Sequence, residues 1–522
     1  MKQINIIFKT VVLFIAVFAG AVFNSCTDRF GEYNTNPGGP TQEQIRWDNT
    51  VTGVLVQNMM PVLSWGHQNK SQMMDQMIGS EYGGHVACIA TWGNGGNYYT
   101  YNPKIGWYGN VFDEYMPVVY TNYFQIVKET QAKGPVFALA TILRIFGTLR
   151  VSDTYGPVPY SKITGSEFNV AYDNMPELYN KMFEDLDKSL DAIQAIVSNN
   201  EDVSSIAQYD NVYNGDLKRW LKFGNTLKLR MAMRLVNVNL EQARQKAEEA
   251  VIGGVFTEAA DAAWNRDNDG MNPYYRAAYT WNGGELRVSA NLNSYLDGYN
   301  DPRFPVYVKD SKDYGKVGVR NGIKQTEMTY SDYQKYSNLN IGQNDPLIIM
   351  SASEAYFLRA EGKLRGWNMQ GEAKELYNKG VEISMKERGV AIGNYLDSDV
   401  KPANYVDPEN SAYNKDAATD VGVMYDEGAE IEKNLERIMI QKWLAAFPNG
   451  WETWVDIRRT GYPKFFPIVN NLSADGVDIN KGMRRLRYPA SEYNTNKENV
   501  LSAVNMLGGQ DKASTDLWWA KK

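Results

Sequence analysis

His67 and His85 are the only two histidines in the chain of 522 residues, so nucleophile–base pairs and histidine-rich zinc sites have almost no raw material. They lie far apart and lack acidic companions at ligand spacing. Any catalysis would therefore rest on carboxylates. Glycoside hydrolysis needs only two of them across a cleft, and nothing singles out a pair among 61 acidic residues. A surface glycosidase is thus the alternative to a non-enzymatic protein, which is the expectation. The run Asn265–Gly270 puts Asn265, Asp267, Asp269 and Gly270 at positions one, three, five and six of a calcium loop. Position twelve is Arg276, a cation where a bidentate glutamate is required. We expect an Asx-rich turn there, with no metal and no cofactor.

Binding chemistry is better supplied. A pyranose offers an apolar C–H face and a rim of hydroxyls, so its receptor needs an aromatic platform beside amide or charged side chains. The stretch Thr91–Asn102 carries Trp92, Asn94, Asn97, Tyr98 and Tyr101 on a glycine-rich backbone, and Pro273–Gly284 carries Tyr279, Trp281 and Asn282. These eight residues are the expected ligand contacts, whether or not the two stretches form one site. The same rings could instead pack on a scaffold or a protein partner. A peptide receptor could also use them while bonding backbone through Asn and Arg. Oligosaccharide is the expected ligand and peptide the alternative.

Helices dominate the segments that must hold these loops. Asn174 reads as an N-cap, Pro176 falls in the first turn, and Tyr179, Met182, Phe183, Leu186, Leu190 and Ile193 recur on one face. Trp220–Val238 and Glu241–Val251 read as two more helices, the second ended by Gly253-Gly254. Between Ser353 and Gly389 a helix pair of tetratricopeptide length is expected, its small residues Ala373, Gly380 and Ser384 allowing close approach. Glu430–Ala446 with Trp451–Arg459, and Gly134–Val151 with Asn174–Val197, extend the series to about four irregular units. The fold class expected is all-α. Long stretches of loop chemistry fall between the helices, at 79–116, 259–285, 309–346 and 393–428.

Lys2, Lys9, the apolar run Val11–Phe23 and then Asn24-Ser25-Cys26 follow the order of a lipoprotein export signal. The run is shorter than the ~20 residues needed to span a bilayer. Residues 1–25 are expected to be removed and Cys26 to carry the lipid anchor. Only Cys88 would then remain, which excludes an intramolecular disulfide. The chain is 43% hydrophobic and 22% charged, and no later apolar run is expected to cross a membrane. Its net charge of −7 argues against nucleic acid.

Seven ordered segments resemble one known family: FGEYNTNPGGPT after Cys26, LRVSDTYGPVPYS from Leu149, WLKFGNTLKLRMAMRL from Trp220, NDPRFPVY from Asn300, IIMSASEAYFLRAEGKLRGW from Ile348, QKWLAAFPNGWETWVDIRRTGYP from Gln441 and RRLRYPASEYNTNKENV from Arg484. They are similar to the SusD/RagB-like nutrient-binding outer-membrane lipoproteins, in the second SusD-like branch. The resemblance implies a single large α-helical domain over 26–522 built on four tetratricopeptide-like pairs. It also implies a lipid-anchored protein of the outer membrane at the cell surface, partnered by a SusC-like TonB-dependent transporter. Read for themselves, these segments suit structure. Asp153–Pro159 is expected to be a turn framework in which Asp153 and Tyr155 bond loop amides. Trp451, Glu452, Trp454, Arg458 and Arg459 are expected to be core and buried ion pairs, and Arg484, Arg485 and Arg487 to have acidic partners.

Overall fold

The helix Met175–Ser198 shows how the scaffold is specified. Asn174 accepts the Glu177 N–H at 3.0 Å, Pro176 lies in the first turn, and all six apolar residues of the expected face are buried. In the computed structural model, which describes residues 50–88, 97–165, 167, 169–201, 203–266, 270–324 and 326–520, this helix is third of nine that form the frame. We number these α1 (Asn110–Thr130), α2 (Gly134–Tyr155), α3 (Met175–Ser198), α4 (Leu217–Arg234), α5 (Leu240–Gly253), α6 (Ala352–Leu364), α7 (Ala373–Glu387), α8 (Ile431–Ala446) and α9 (Trp451–Thr460). From Thr52 onward the chain forms a single compact unit.

Consecutive members from α1 to α5 pack as neighbours, as do α6 with α7, and α8 lies against α6. Their starts are encoded locally. Asp216 accepts the Lys218 and Arg219 N–H groups ahead of α4, and Asn239 accepts the Gln242 N–H ahead of α5. The helix expected over 220–238 ends at Arg234 and tightens into a 3₁₀ turn. In the α6–α7 hairpin a Cβ on Gly380 would stand 2.8 Å from the Phe357 ring, so the missing side chain sets the helix spacing. Helix α2 corrects one expectation, being long and apolar enough to cross a membrane; 83% of its most apolar window is buried, as in a core helix.

Ion pairs staple the helices through the interior. Arg230 on α4 makes two hydrogen bonds to Glu354 on α6, at 2.8 and 2.7 Å, and lies 3.3 Å from Glu452 on α9. Arg234, one turn on, meets Glu452 at 2.7 Å and Asp153 on α2 at 2.9 Å. Arg459 on α9 meets Glu361 on α6 at 2.6 Å, and Lys442 on α8 meets Asp456 at 2.7 Å. Trp451 and Trp454 are buried beside them. Arg484, Arg485 and Arg487 pair with Asp516, Asp511 and Asp475. Asp153 departs from expectation. It belongs to the end of α2 and takes a guanidinium instead of loop amides, and Tyr155, also in α2, accepts the Phe112 N–H from the first turn of α1.

Among the described residues four short strands also occur: β1 (Val86–Cys88), β2 (Ala263–Asn265), β3 (Leu286–Val288) and β4 (Leu347–Met350). They form two antiparallel pairs, β1 with β3 and β2 with β4. Asn265 thus stands in a strand, its amide donating to the Ser64 carbonyl, which removes it from any calcium loop. Residues 79–116, expected to be loop throughout, contain β1 and the start of α1.

Candidate functional site

The β1–β3 pair roots both aromatic stretches. Its register sets Val86 against Val288, Ala87 against Arg287 and Cys88 against Leu286. The first stretch leaves the sheet after Cys88 and the second enters it before Leu286, so the two begin on one rung. Neighbouring strands lie ~4.8 Å apart. A shared origin is thus built into the backbone.

Trp92 and Asn94 lie outside the described residues, as does Cys26. The rest of the first stretch folds onto itself. Asn97 is buried, its carboxamide accepting the Tyr98 N–H at 2.7 Å. Tyr98 is buried too, stacking on Trp107 and donating its hydroxyl to the Trp107 carbonyl at 2.7 Å. Both residues, expected to face a ligand, anchor the loop from inside. Tyr101 is half-buried and left-handed at φ 58°, a strained state for a bulky side chain, and packs edge-on to Tyr82.

The second stretch is held open by its own caps. Asn272 accepts the N–H groups of Tyr274 and Tyr275, starting a helical turn through Thr280. Tyr279 is half-buried, lies against Tyr275 with 4.8 Å between ring centroids, and donates its hydroxyl to the Leu339 carbonyl. Its ring face carries the Lys309 ammonium at 5.4 Å. Trp281 is half-exposed and Asn282 exposed at φ 47°, the latter's amide donating to Glu285 at 2.7 Å. Ring and amide therefore stand side by side at the surface.

Four residues that the sequence did not nominate position these loops. Glu285 is buried and ties the second loop to Gln72 at 2.5 Å. Arg287, 1% exposed, donates to the carbonyls of Ala278 and Gly284 and to that of Tyr333. Glu81 accepts the Cys88 N–H at 2.6 Å and the Asn321 amide at 2.9 Å, while Asn321 also donates to the Val86 carbonyl. Burial pushes the Glu81 carboxyl up to about 8, against the opposing pull of those two hydrogen bonds. Only the fold reveals the partner of each.

The chain is similar to known proteins over most of its length. The family described as Susd and RagB outer membrane lipoprotein matches residues 32–520. A SusD-like protein from Bacteroides thetaiotaomicron is similar at 37% identity and a TM-score of 0.85, over 90% of this chain and 99% of its own. A chitin-binding SusD homologue from Flavobacterium johnsoniae is similar at 34% identity and a TM-score of 0.85, over 90% and 98%. A SusD homologue from Bacteroides ovatus gives 37% and 0.84, over 90% and 99%. A comparison with curated protein sequences finds no match. The chain belongs to the SusD-like family of outer membrane lipoproteins.

Proposed function

We propose that the protein is a non-enzymatic surface receptor that captures an oligosaccharide between the two aromatic loops and passes it to a SusC-like TonB-dependent transporter. The observation that carries the reading is the Cys88–Leu286 rung, from which both ring-and-amide loops spring. The similar Flavobacterium protein being chitin-binding supports glycan over peptide. Trp281, Tyr279 and Asn282 would meet the ligand on this reading, with Trp92 and Asn94 joining from the first loop, Asn97 and Tyr98 holding that loop in shape, and Tyr101 lining a neighbouring cleft instead. Residues 1–25 would be removed, leaving 26–522 anchored by lipid at Cys26. Alanine at a stacking tryptophan removes an aromatic contact and its specific geometry, of order 1 kcal/mol beyond the area lost.

Native affinity electrophoresis against a polysaccharide panel tests this. Retardation by a glycan is expected for the wild type, reduced at least tenfold in affinity by Trp281→Ala and again by Trp92→Ala. Retention of full affinity in the double variant would overturn the site. Binding to peptides and to no glycan, measured by calorimetry, would overturn the ligand class.

A further inference from the structure

A cleft of about 410 Å³ opens beyond Tyr101, within the ~300–1,000 Å³ span of small-molecule sites. Tyr82, Tyr101, Trp454 and Phe465 form its aromatic wall. One feature marks it as more than a packing gap. Tyr101 is held left-handed while its ring forms the wall, and a Cβ on Gly482 opposite would stand 3.2 Å from its hydroxyl, so that turn is shaped around it.

The rim carries a surplus of positive charge on a chain of net charge −7. Lys415, Lys464 and Lys481 line it against one carboxylate, Asp416. Lys464 faces Glu436 at 3.4 Å, but Lys415 and Lys481 make no ion pair among the described residues. Both are fixed at the backbone. Lys415 is bonded in both directions to Tyr405, and the Asp478 carboxylate accepts the N–H groups of Asn480 and Lys481. An aromatic wall beside two uncommitted ammonium groups suits a ring that has an apolar C–H face and bears a carboxylate, and Asp416 adds an acceptor for hydroxyls.

We infer that this cleft is a second binding site, one that takes an anionic sugar ring, with the ring against Tyr101 and Phe465 and its carboxylate between Lys415 and Lys481. The sugar rests on the glycan reading above, and the negative charge on the cleft alone. Glucuronate, glucose and acetate, titrated against the purified protein at low salt by saturation-transfer NMR, test it. Glucuronate should bind at least tenfold more tightly than glucose and than acetate, and Lys415→Ala with Lys481→Ala, two exposed positions, should erase the difference between the sugars. Equal binding of glucuronate and glucose, a preference that survives the lysine substitutions, or acetate matching glucuronate would each overturn it. Polysaccharide retention, run in parallel, separates the two readings. Lysine-dependent glucuronate preference without retention supports the cleft and sinks only the loop site, whereas retention without the preference sinks the cleft.

Discussion

Glu81 is pushed toward its protonated form because its surroundings offer too little to hold a charge. Burial pushes it up to about 8, where an unfolded chain would release the proton near 4.5. Between those values the folded state holds more protons at Glu81 than the unfolded one, so the contribution of Glu81 to stability is complete below 4.5 and is lost as pH rises through 8. Asp75, pushed by burial up to about 6, and His85, lowered by burial to about 4, exchange their protons below pH 7, and Glu387, raised by burial to about 7, does so mostly below it. From pH 7 to 8 Glu81 therefore dominates, and stability should drop by about 1 kcal/mol. Denaturant titrations at the two pH values should show that drop in the wild type and its loss in Glu81→Gln, an uncharged isostere. An unchanged drop in the variant would assign it elsewhere.

At the scale of elements, the α6–α7 hairpin depends on a missing side chain. Gly380→Val would drive carbon atoms into the Phe357 ring, where a Cβ alone already stands at 2.8 Å. Overpacking of this kind costs about 1–3 kcal/mol, and the chemical midpoint should fall accordingly. This hairpin was readable from sequence, since the small residues Ala373, Gly380 and Ser384 spell out the contact. So was α3, from its cap and its face. The β1–β3 pair was not. Strands of three residues contain too little alternation to register, and Arg287 and Glu285 find their partners only through the fold. That is also why Asn97 and Tyr98 read as ligand contacts. Composition reports rings and amides, while burial decides which of them turn inward.

For the whole molecule, the division between a stapled helical frame and loops rooted in one small sheet predicts that stability and binding can be altered separately. Glu354 bonds Arg230 twice in the interior and also lies 3.6 Å from Lys442, joining α4, α6 and α8. Removing one partner of a buried pair strands the other charge at a cost of about 3–5 kcal/mol. Glu354→Ala should therefore lower the denaturation midpoint steeply, although Glu452 remains 3.3 Å from Arg230 and softens the loss. At a temperature where that variant is still folded, its glycan retention should match the wild type, because no residue of the frame network enters either loop. Trp281→Ala should do the reverse, since a half-exposed ring contributes little to the core and its loss falls on the ligand. Melting curves and affinity electrophoresis on the same two proteins decide the matter. If Glu354→Ala loses binding while folded, frame and loops act as one unit, and the rung at Cys88 and Leu286 is not sufficient to fix the site.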